Sequence, residues 1–561
     1  MKRRYYLICL ALLALWGPSR AAAQERPDLA AIKAILEERI DTLRRGVGIV
    51  VGVIDADGRA IVGHGRPSLT SDEEVDGDTA FEIGSITKVF TSVLLADMAA
   101  RGELAIDDPI ADFLPDWIAV PGNPGRPITL RDLAIHRSGL PRMPANFAPA
   151  DQSNPFVDYT EEQMYQFLDG YDLPRDVGAQ YEYSNLGVGL LGHALAFRAG
   201  MDFESLVINR IAAPLDLADT RIGLGPDLRA RLAPGHDLGG QPVPNWDIPS
   251  LAGAGALRST TNDLLDFLAA NMGLQQTPLA AAFDSTHVAQ ASAGSGNMDI
   301  GLGWHILKGP GYLIHWHNGG TGGYRTFAGF RQDLQLGIVV LSNTANDVTD
   351  IGFHLFDPQF PLAQLEAIPE VVEVDPALLD EYVGEYELAP DFVLTVTREG
   401  ERFYGQATGQ DKFALFAASE THFFLSLIEA RVTFVKDESG AVTHLVLHQG
   451  GADLEAIKRP SPTAVLAGDS GALPEEYGLD NYPNPFNPRT QIRFALPRAG
   501  VVGLDVFDVQ GQKVATVIAD QYRVAGWHAV EFNATGLAAG AYFYRLRSGD
   551  TTRVGKMMLL K

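Results

Sequence analysis

The stretch Phe81-Glu-Ile-Gly-Ser85-Ile-Thr-Lys88-Val-Phe-Thr-Ser92 constrains the fold of this chain more than any other. Apolar side chains recur at Ile86, Val89, Phe90, Val93, Leu94 and Met98, the period of a helix, and Arg101-Gly102 supplies a stop. The spacing predicts a largely buried amphipathic helix opened by Ser85. A serine there is first of all an N-cap, its oxygen accepting from a free backbone N–H. Lys88, however, lies one turn on along the same face, which brings an amine within reach of the hydroxyl. The free N–H groups of the first turn then point at whatever the hydroxyl attacks. This is the Ser-x-x-Lys pattern of an activated serine, a weak signal unless partners appear elsewhere.

Two partners follow in order. Tyr183-Ser-Asn185, expected in a loop before the helical run Leu190 to Phe197, offers a phenol and an amide. His317-Asn-Gly319-Gly320 follows the strand-like run Tyr312 to Trp316. It precedes the segment Thr321 to Phe330, whose glycines let a substrate backbone lie close against a sheet edge.

With these residues the region from about Leu29 to about Leu365 resembles the serine hydrolases that include class C β-lactamases, D,D-carboxypeptidases, D-aminopeptidases and β-lactamase-like esterases. The runs Ile128 to Pro141 and Ala252 to Leu264 look like further signatures of that family. The resemblance implies an acyl-enzyme on Ser85, with Lys88 and Tyr183 sharing the proton traffic and Tyr183 favoured for protonating the leaving group. It also implies backbone N–H groups of Ser85 and Gly320 as oxyanion donors, Gly319 beside them, and Asn185 on the substrate amide. Lys88 and Tyr183 both titrate near 10 when free, so each must be shifted by burial and mutual charge, the phenol toward greater acidity. Which of the two is the base stays open.

His317 departs from the Lys-Thr-Gly of penicillin-binding members. An unperturbed histidine is only about a quarter charged at pH 7, so carboxylate anchoring is expected to weaken. Weight moves toward esterase and D-aminopeptidase activity, with β-lactamase or D,D-carboxypeptidase as the alternative and a non-hydrolysing receptor as the rival of another class. No cofactor is expected. His315 and His317 share a strand face, but no third ligand has recognisable spacing, so no metal is expected either. His136 reads as a structural hydrogen-bonding group, and His236-Asp237 and Asn245-Trp246-Asp247 as loop residues bordering the pocket.

Residues 1–23 read as a signal peptide, with Lys2, Arg3 and Arg4 before an apolar run and Ala21-Ala22-Ala23 as its cleavage site. Cys9, the only cysteine, lies inside it, so disulfide and thiol chemistry are excluded afterwards and no transmembrane segment is expected in the mature chain. The formal charge of -26 disfavours nucleic acid and anionic lipid. The fold class expected for 27–365 is α+β: an antiparallel sheet flanked by helices with an inserted helical subdomain. Its first elements would be one helix over Pro27 to Arg45 and a hairpin over Val47 to Val62. Its last strands would be Gly303 to Leu307, Tyr312 to His317, Tyr324 to Phe330 and Gly337 to Ser342. Residues 375–459, opening with Leu378 to Tyr386 as the start of a strand run, resemble a lipocalin-like module, a small barrel or half-barrel, though spacing alone also permits a sandwich. After a 461–474 linker, residues 475–561 resemble a Bacteroidetes-type C-terminal sorting domain built as an Ig-like sandwich, in which the prolines of Asn481 to Pro488 should forbid regular pairing. The partners implied are a small ester or peptide substrate and the outer-membrane secretion machinery. The expected location is the cell surface or medium, with the periplasm in transit.

Overall fold

The computed structural model describes residues 26–459, 474 and 476–560, apart from 124, 295, 390–391, 401, 409–411, 426–429, 450–451 and 550. The expected signal peptide, Cys9 and nearly all of the 461–474 linker lie outside the described residues.

The first described elements form a helix, Leu29–Glu37, continued by a π turn Glu38–Thr42, and a hairpin of strands Gly48–Asp55 and Gly58–Gly65. The first of these strands pairs not only with its hairpin partner but with Leu336–Ser342, some 280 residues later. An eight-stranded antiparallel sheet results. Its order is Gly58–Gly65, Gly48–Asp55, Leu336–Ser342, Arg325–Arg331, Leu313–Gly320, His305–Lys308, Met298–Ile300 and Ala291–Ser292. Gly48–Asp55 is an unbroken apolar run because both its faces are covered. Ile49, Val51 and Val53 pack with Ile32, Leu36, Ile351 and Leu355 from the terminal helices. Val50 and Ile54 point the other way, into the larger core around Val89, Phe90, Leu264 and Leu268. The four strands expected at the end of this region are present within a few residues. The short pair Ala291–Ser292 and Met298–Ile300 at the sheet edge was not foreseen.

The helix after Ser85 runs from Thr87 to Ala100, and every residue from Thr87 to Met98 is buried. It is therefore a central helix, not an amphipathic one. The expected outer face is covered because small residues let other segments approach: Gly253 lies against Gly192 and the Thr91 hydroxyl, which donates to Gly253 O at 2.8 Å. The helical insert, including Glu161–Asp169 and Asn185–Ala199, closes that side.

Beyond the sheet, strands between Gly384 and Lys458 close into an eight-stranded barrel, which removes both the half-barrel and the sandwich alternatives. The interior is packed with Tyr382, Tyr386, Phe403, Phe423 and Phe434 rather than left as a ligand chamber. Leu378 to Tyr382 was expected to begin a strand. It lies instead in a helix, Pro376–Tyr382, capped by Asp375, whose side chain accepts from Ala377 N. The last module is a sandwich of a three-stranded and a four-stranded sheet. Here the proline argument fails at one point. Asn481 and Tyr482 end a strand, Gly478–Tyr482, and pair with Ile492 and Gln491 before the first proline is reached. Among the described residues, no helix is long and apolar enough to cross a membrane.

Candidate active site

Ser85 sits in a single 3-10 turn, Gly84–Ile86, immediately before the central helix. The N-cap of that helix is Ile86, with no side-chain cap bond, so the Ser85 hydroxyl is not consumed as a cap. The turn is pressed onto the sheet. Gly84 holds φ +52, and a Cβ there would lie 2.7 Å from Gly320 N. Gly319 is equally tight, since a Cβ on it would lie 2.9 Å from the carbonyl carbon of Ile83. Two glycines in strand Leu313–Gly320 and one before the serine thus bring Ser85 beside the backbone of Gly320.

Lys88 Nζ donates to Ser85 Oγ at 3.0 Å and to Ala254 O at 2.6 Å. The side chain is fully buried, and no carboxylate pairs with it among the described residues. Burial, then the positive field of Arg142, holds its amine well below the ordinary lysine value. The amine lies 4.9 Å from the centroid of the Tyr183 ring. Tyr183 itself is pushed up to about 12 by burial, which outweighs its hydrogen bond with Ser85 and the field of Arg142. The expectation of a more acidic phenol is therefore reversed, because desolvation of the phenolate exceeds the help of nearby charge.

Tyr183 precedes the helix Asn185–Ala199, which begins five residues earlier than expected and is capped by Ser184, whose Oγ accepts from Gly187 N at 2.8 Å. His136 fixes this corner. Its Nδ1 accepts from Ser184 N at 3.1 Å, its carbonyl accepts from Glu182 N at 2.8 Å, and its ring lies 4.4 Å from that of Tyr183. Asn185 is the first helical residue, with Nδ2 3.7 Å from Met143 Sδ.

His317 is buried, with its ring centroid 6.2 Å from that of Tyr183. Nδ1 donates to Asn318 O at 2.6 Å, leaving Nε2 as a buried lone pair without a protein partner. Burial, then His305 and Lys88, holds the imidazole well below 6.5, so the partial charge expected from an ordinary histidine is lost. His315 does not join it. Its Nε2 donates to His287 O at 3.1 Å, and among the described residues no group of three metal-ligating side chains exists.

Two residues went unnoticed in the sequence. His305, opposite Trp316 in the sheet register, places its ring 5.0 Å from that of His317 and bonds Tyr181 OH at 2.9 Å. Burial, then Lys88, lowers it to about 4. Arg142 holds its guanidinium 5.1 Å from the Tyr183 ring centroid. Of the loop residues, Trp246 borders the turn after Gly320: its N–H donates to Glu82 Oε1 at 3.0 Å, and its indole lies against Gly322. His236 is buried and bonds Asn343 O.

The Beta-lactamase family matches residues 33–352, a domain of unknown function matches 369–460, and a secretion system C-terminal sorting domain matches 480–560. The chain is 28% identical over 439 residues to "Penicillin-binding protein 4*" of Bacillus subtilis, covering 72% of this chain and 94% of that protein. It is 28% identical over 310 residues to the D-alanyl-D-alanine-carboxypeptidase/endopeptidase AmpH of Escherichia coli, covering 52% and 78%. The solved octameric penicillin-binding protein homologue from Pyrococcus abyssi matches with a TM-score of 0.53 at 20% identity, over 76% of this chain and all of that one, which shows the fold alone.

Proposed function

The chain belongs to the Beta-lactamase family, a serine hydrolase with a secretion sorting tail that directs it to the cell surface or medium, and from that premise we propose that it cleaves esters or D-amino-acid-containing peptides through an acyl-enzyme on Ser85. The observation that carries this reading is the buried Lys88 amine, 3.0 Å from Ser85 Oγ and without a carboxylate to keep it charged. Such an amine takes the serine proton as Oγ attacks the carbonyl carbon. With its phenol raised to about 12, Tyr183 stays protonated at neutral pH and acts as the donor to the leaving group, regaining its proton from the Lys88 ammonium. The backbone N–H groups of Ser85 and Gly320 stabilise the oxyanion, Gly319 permits their approach, and Asn185 holds the substrate amide. Water then attacks the acyl-enzyme and gives its proton to Lys88, which passes it to Ser85 Oγ as the acyl–oxygen bond breaks and the acid leaves.

Two of the similar proteins are a penicillin-binding protein and a D-alanyl-D-alanine carboxypeptidase, which keeps β-lactam and D-alanyl substrates as the second reading. The buried, neutral His317 weighs against it, because no charge at that strand position draws in a carboxylate. The test is to profile the purified mature chain on short 4-nitrophenyl esters, D-amino-acid peptides and a chromogenic cephalosporin. Steady turnover of esters or D-peptides supports the proposal. Preference for the cephalosporin moves the assignment to β-lactamase, and one stoichiometric burst without turnover defeats hydrolysis in favour of a receptor.

A further inference from the structure

Arg142 is exposed, and its main chain is fixed where its side chain is not. Its carbonyl accepts from Asn185 N at 3.0 Å and Leu186 N at 3.3 Å, at the start of the helix that follows Tyr183. Its guanidinium lies over the Tyr183 ring, and among the described residues it has neither an ion pair nor a side-chain hydrogen bond. That is unusual in a chain with 70 acidic residues against 44 Lys and Arg. Arg131, Arg210 and Arg231 all find carboxylates.

The other basic groups near Ser85 are buried or already hydrogen-bonded. Lys88, His136, His305 and His317 are each held below their ordinary values, burial being the first cause in every case. Arg325 lies over Gly320, but its Nη1 is taken by Thr321 O at 2.7 Å and Tyr324 O at 2.8 Å, closing the turn between two strands. Among the described residues, Arg142 is the exposed guanidinium that lies beside Tyr183.

We propose that Arg142 recognises a carboxylate carried by the leaving group of the substrate. This rests on the hydrolase reading above, in which Tyr183 hands its proton to that leaving group. We assign the guanidinium, which lies over the Tyr183 ring, to the leaving-group side of the scissile bond, and its planar fork matches a carboxylate. The anion is thereby drawn to the loop after His136 and not to His317, which burial keeps uncharged.

The experiment compares two butyrate esters, one releasing 4-nitrophenol and one releasing 5-hydroxy-2-nitrobenzoate, which differ by a carboxylate on the leaving group. Ratios of kcat/KM are taken on the alkaline plateau, where the field of Arg142 on Lys88 no longer matters. Arg142→Gln is expected to lower the charged-to-neutral ratio by about ten- to a hundredfold. Arg142→Lys should restore part of it, and raising the salt should shrink the ratio in the unaltered protein alone. An arginine that only supports the Tyr183 ring would slow both esters equally, so an unchanged ratio in Arg142→Gln overturns the proposal. A salt-independent ratio in the unaltered protein overturns it even if the variant does not fold. Absence of turnover of either ester by the unaltered protein defeats the hydrolase reading itself, and this proposal with it.

Discussion

Gly319→Ala tests how the serine is placed. A Cβ at this position would lie 2.9 Å from the carbonyl carbon of Ile83, on the segment that leads through Gly84 into Ser85. It would also crowd the Ile83 carbonyl oxygen and the Thr326 hydroxyl, which donates to that oxygen at 3.0 Å. Carbon pairs are most favourable at about 3.5–4.0 Å, and the Ile83 carbonyl oxygen is closer than its carbon, so the strand and the serine turn must part by on the order of 1 Å or more. The neighbouring atoms are backbone and a short hydroxyl, neither of which can swing aside. Overpacking of this kind costs about 1–3 kcal/mol of stability. The larger effect falls on rate, because the same displacement carries Ser85 away from Gly320. A misplacement of about 1 Å, or the loss of one oxyanion donor, lowers kcat by on the order of 10²-fold. KM should move much less, since the donors serve the tetrahedral intermediate more than the ground-state carbonyl.

The assay is steady-state hydrolysis of a 4-nitrophenyl ester together with thermal unfolding. Gly296→Ala is the control, because a Cβ there meets nothing within 4 Å. The expected result is a near-normal control and a Gly319→Ala variant that folds, melts a few degrees lower and loses kcat. If Gly319→Ala kept full kcat, the strand would not be setting the position of Ser85, and Gly320 would lose its assignment as oxyanion donor.

Ser85→Ala should abolish turnover while leaving the melting temperature within a degree or two; residual activity near the original level sinks the acyl-enzyme. The kcat/KM profile should rise with pH through the lowered value of Lys88 and then level, because only its neutral amine takes the proton; a profile flat from pH 5 to 9 contradicts that role. Stability should fall in acid for a related reason. His287 is lowered to about 3, by burial first and then by His315, so between that value and its ordinary 6.5 the unfolded chain binds more protons and stability drops as pH falls. His287→Gln should flatten the slope of melting temperature between pH 6.5 and 4, and parallel curves for the two proteins refute the attribution. Deleting everything after Pro460 should leave ester hydrolysis per molecule unchanged and strand the protein in the periplasm of a host with the matching secretion system; arrival in the medium would refute the sorting role.

Legibility from sequence followed a physical line. The candidate quartet of Ser85, Lys88, Tyr183 and His317 was readable because activating a hydroxyl demands particular side-chain types at particular spacings. What those side chains experience was not. Spacing shows that Tyr183 has a lysine for a neighbour but not that burial outweighs it, and the phenol moved the opposite way. His305 joins the site through a strand register, and Arg142 through one loop conformation, neither of which leaves a periodic trace. The serine helix was found from its apolar positions. Its second buried face depends on Gly192 and Gly253, about 60 residues apart in the chain, and no window on the helix contains them. The helix Pro376–Tyr382 is different: Asp375-Pro376 is a legible cap and first-turn signature, overridden by the valine and tyrosine pattern that follows.

The acidic composition sharpens the question of how the Lys88 amine, lowered by burial, avoids a carboxylate partner. A carboxylate beside the amine would hold it charged and disable it as a base, and Glu82 lies only three residues before Ser85. Strand pairing resolves this. Ala80–Glu82 pairs with Arg258–Thr260, which sets Glu82 opposite Arg258, and the two side chains meet at 3.1 Å in full burial. Glu82 also accepts from Trp246 N, and Arg258 donates to Trp246 O at 2.8 Å, so the pair is locked to the loop beside the Gly322 turn. The carboxylate nearest in sequence is thus engaged by Arg258 and the Trp246 main chain, although burial still raises its pKa against the pull of Arg258. Removing Arg258 would leave that carboxylate buried without its counter-charge, a loss of about 3–5 kcal/mol for a pair of this kind. The Glu82–Arg258 pair therefore ties the strand before the serine turn to the Trp246 loop and commits the acid nearest Ser85 in sequence to a partner other than Lys88.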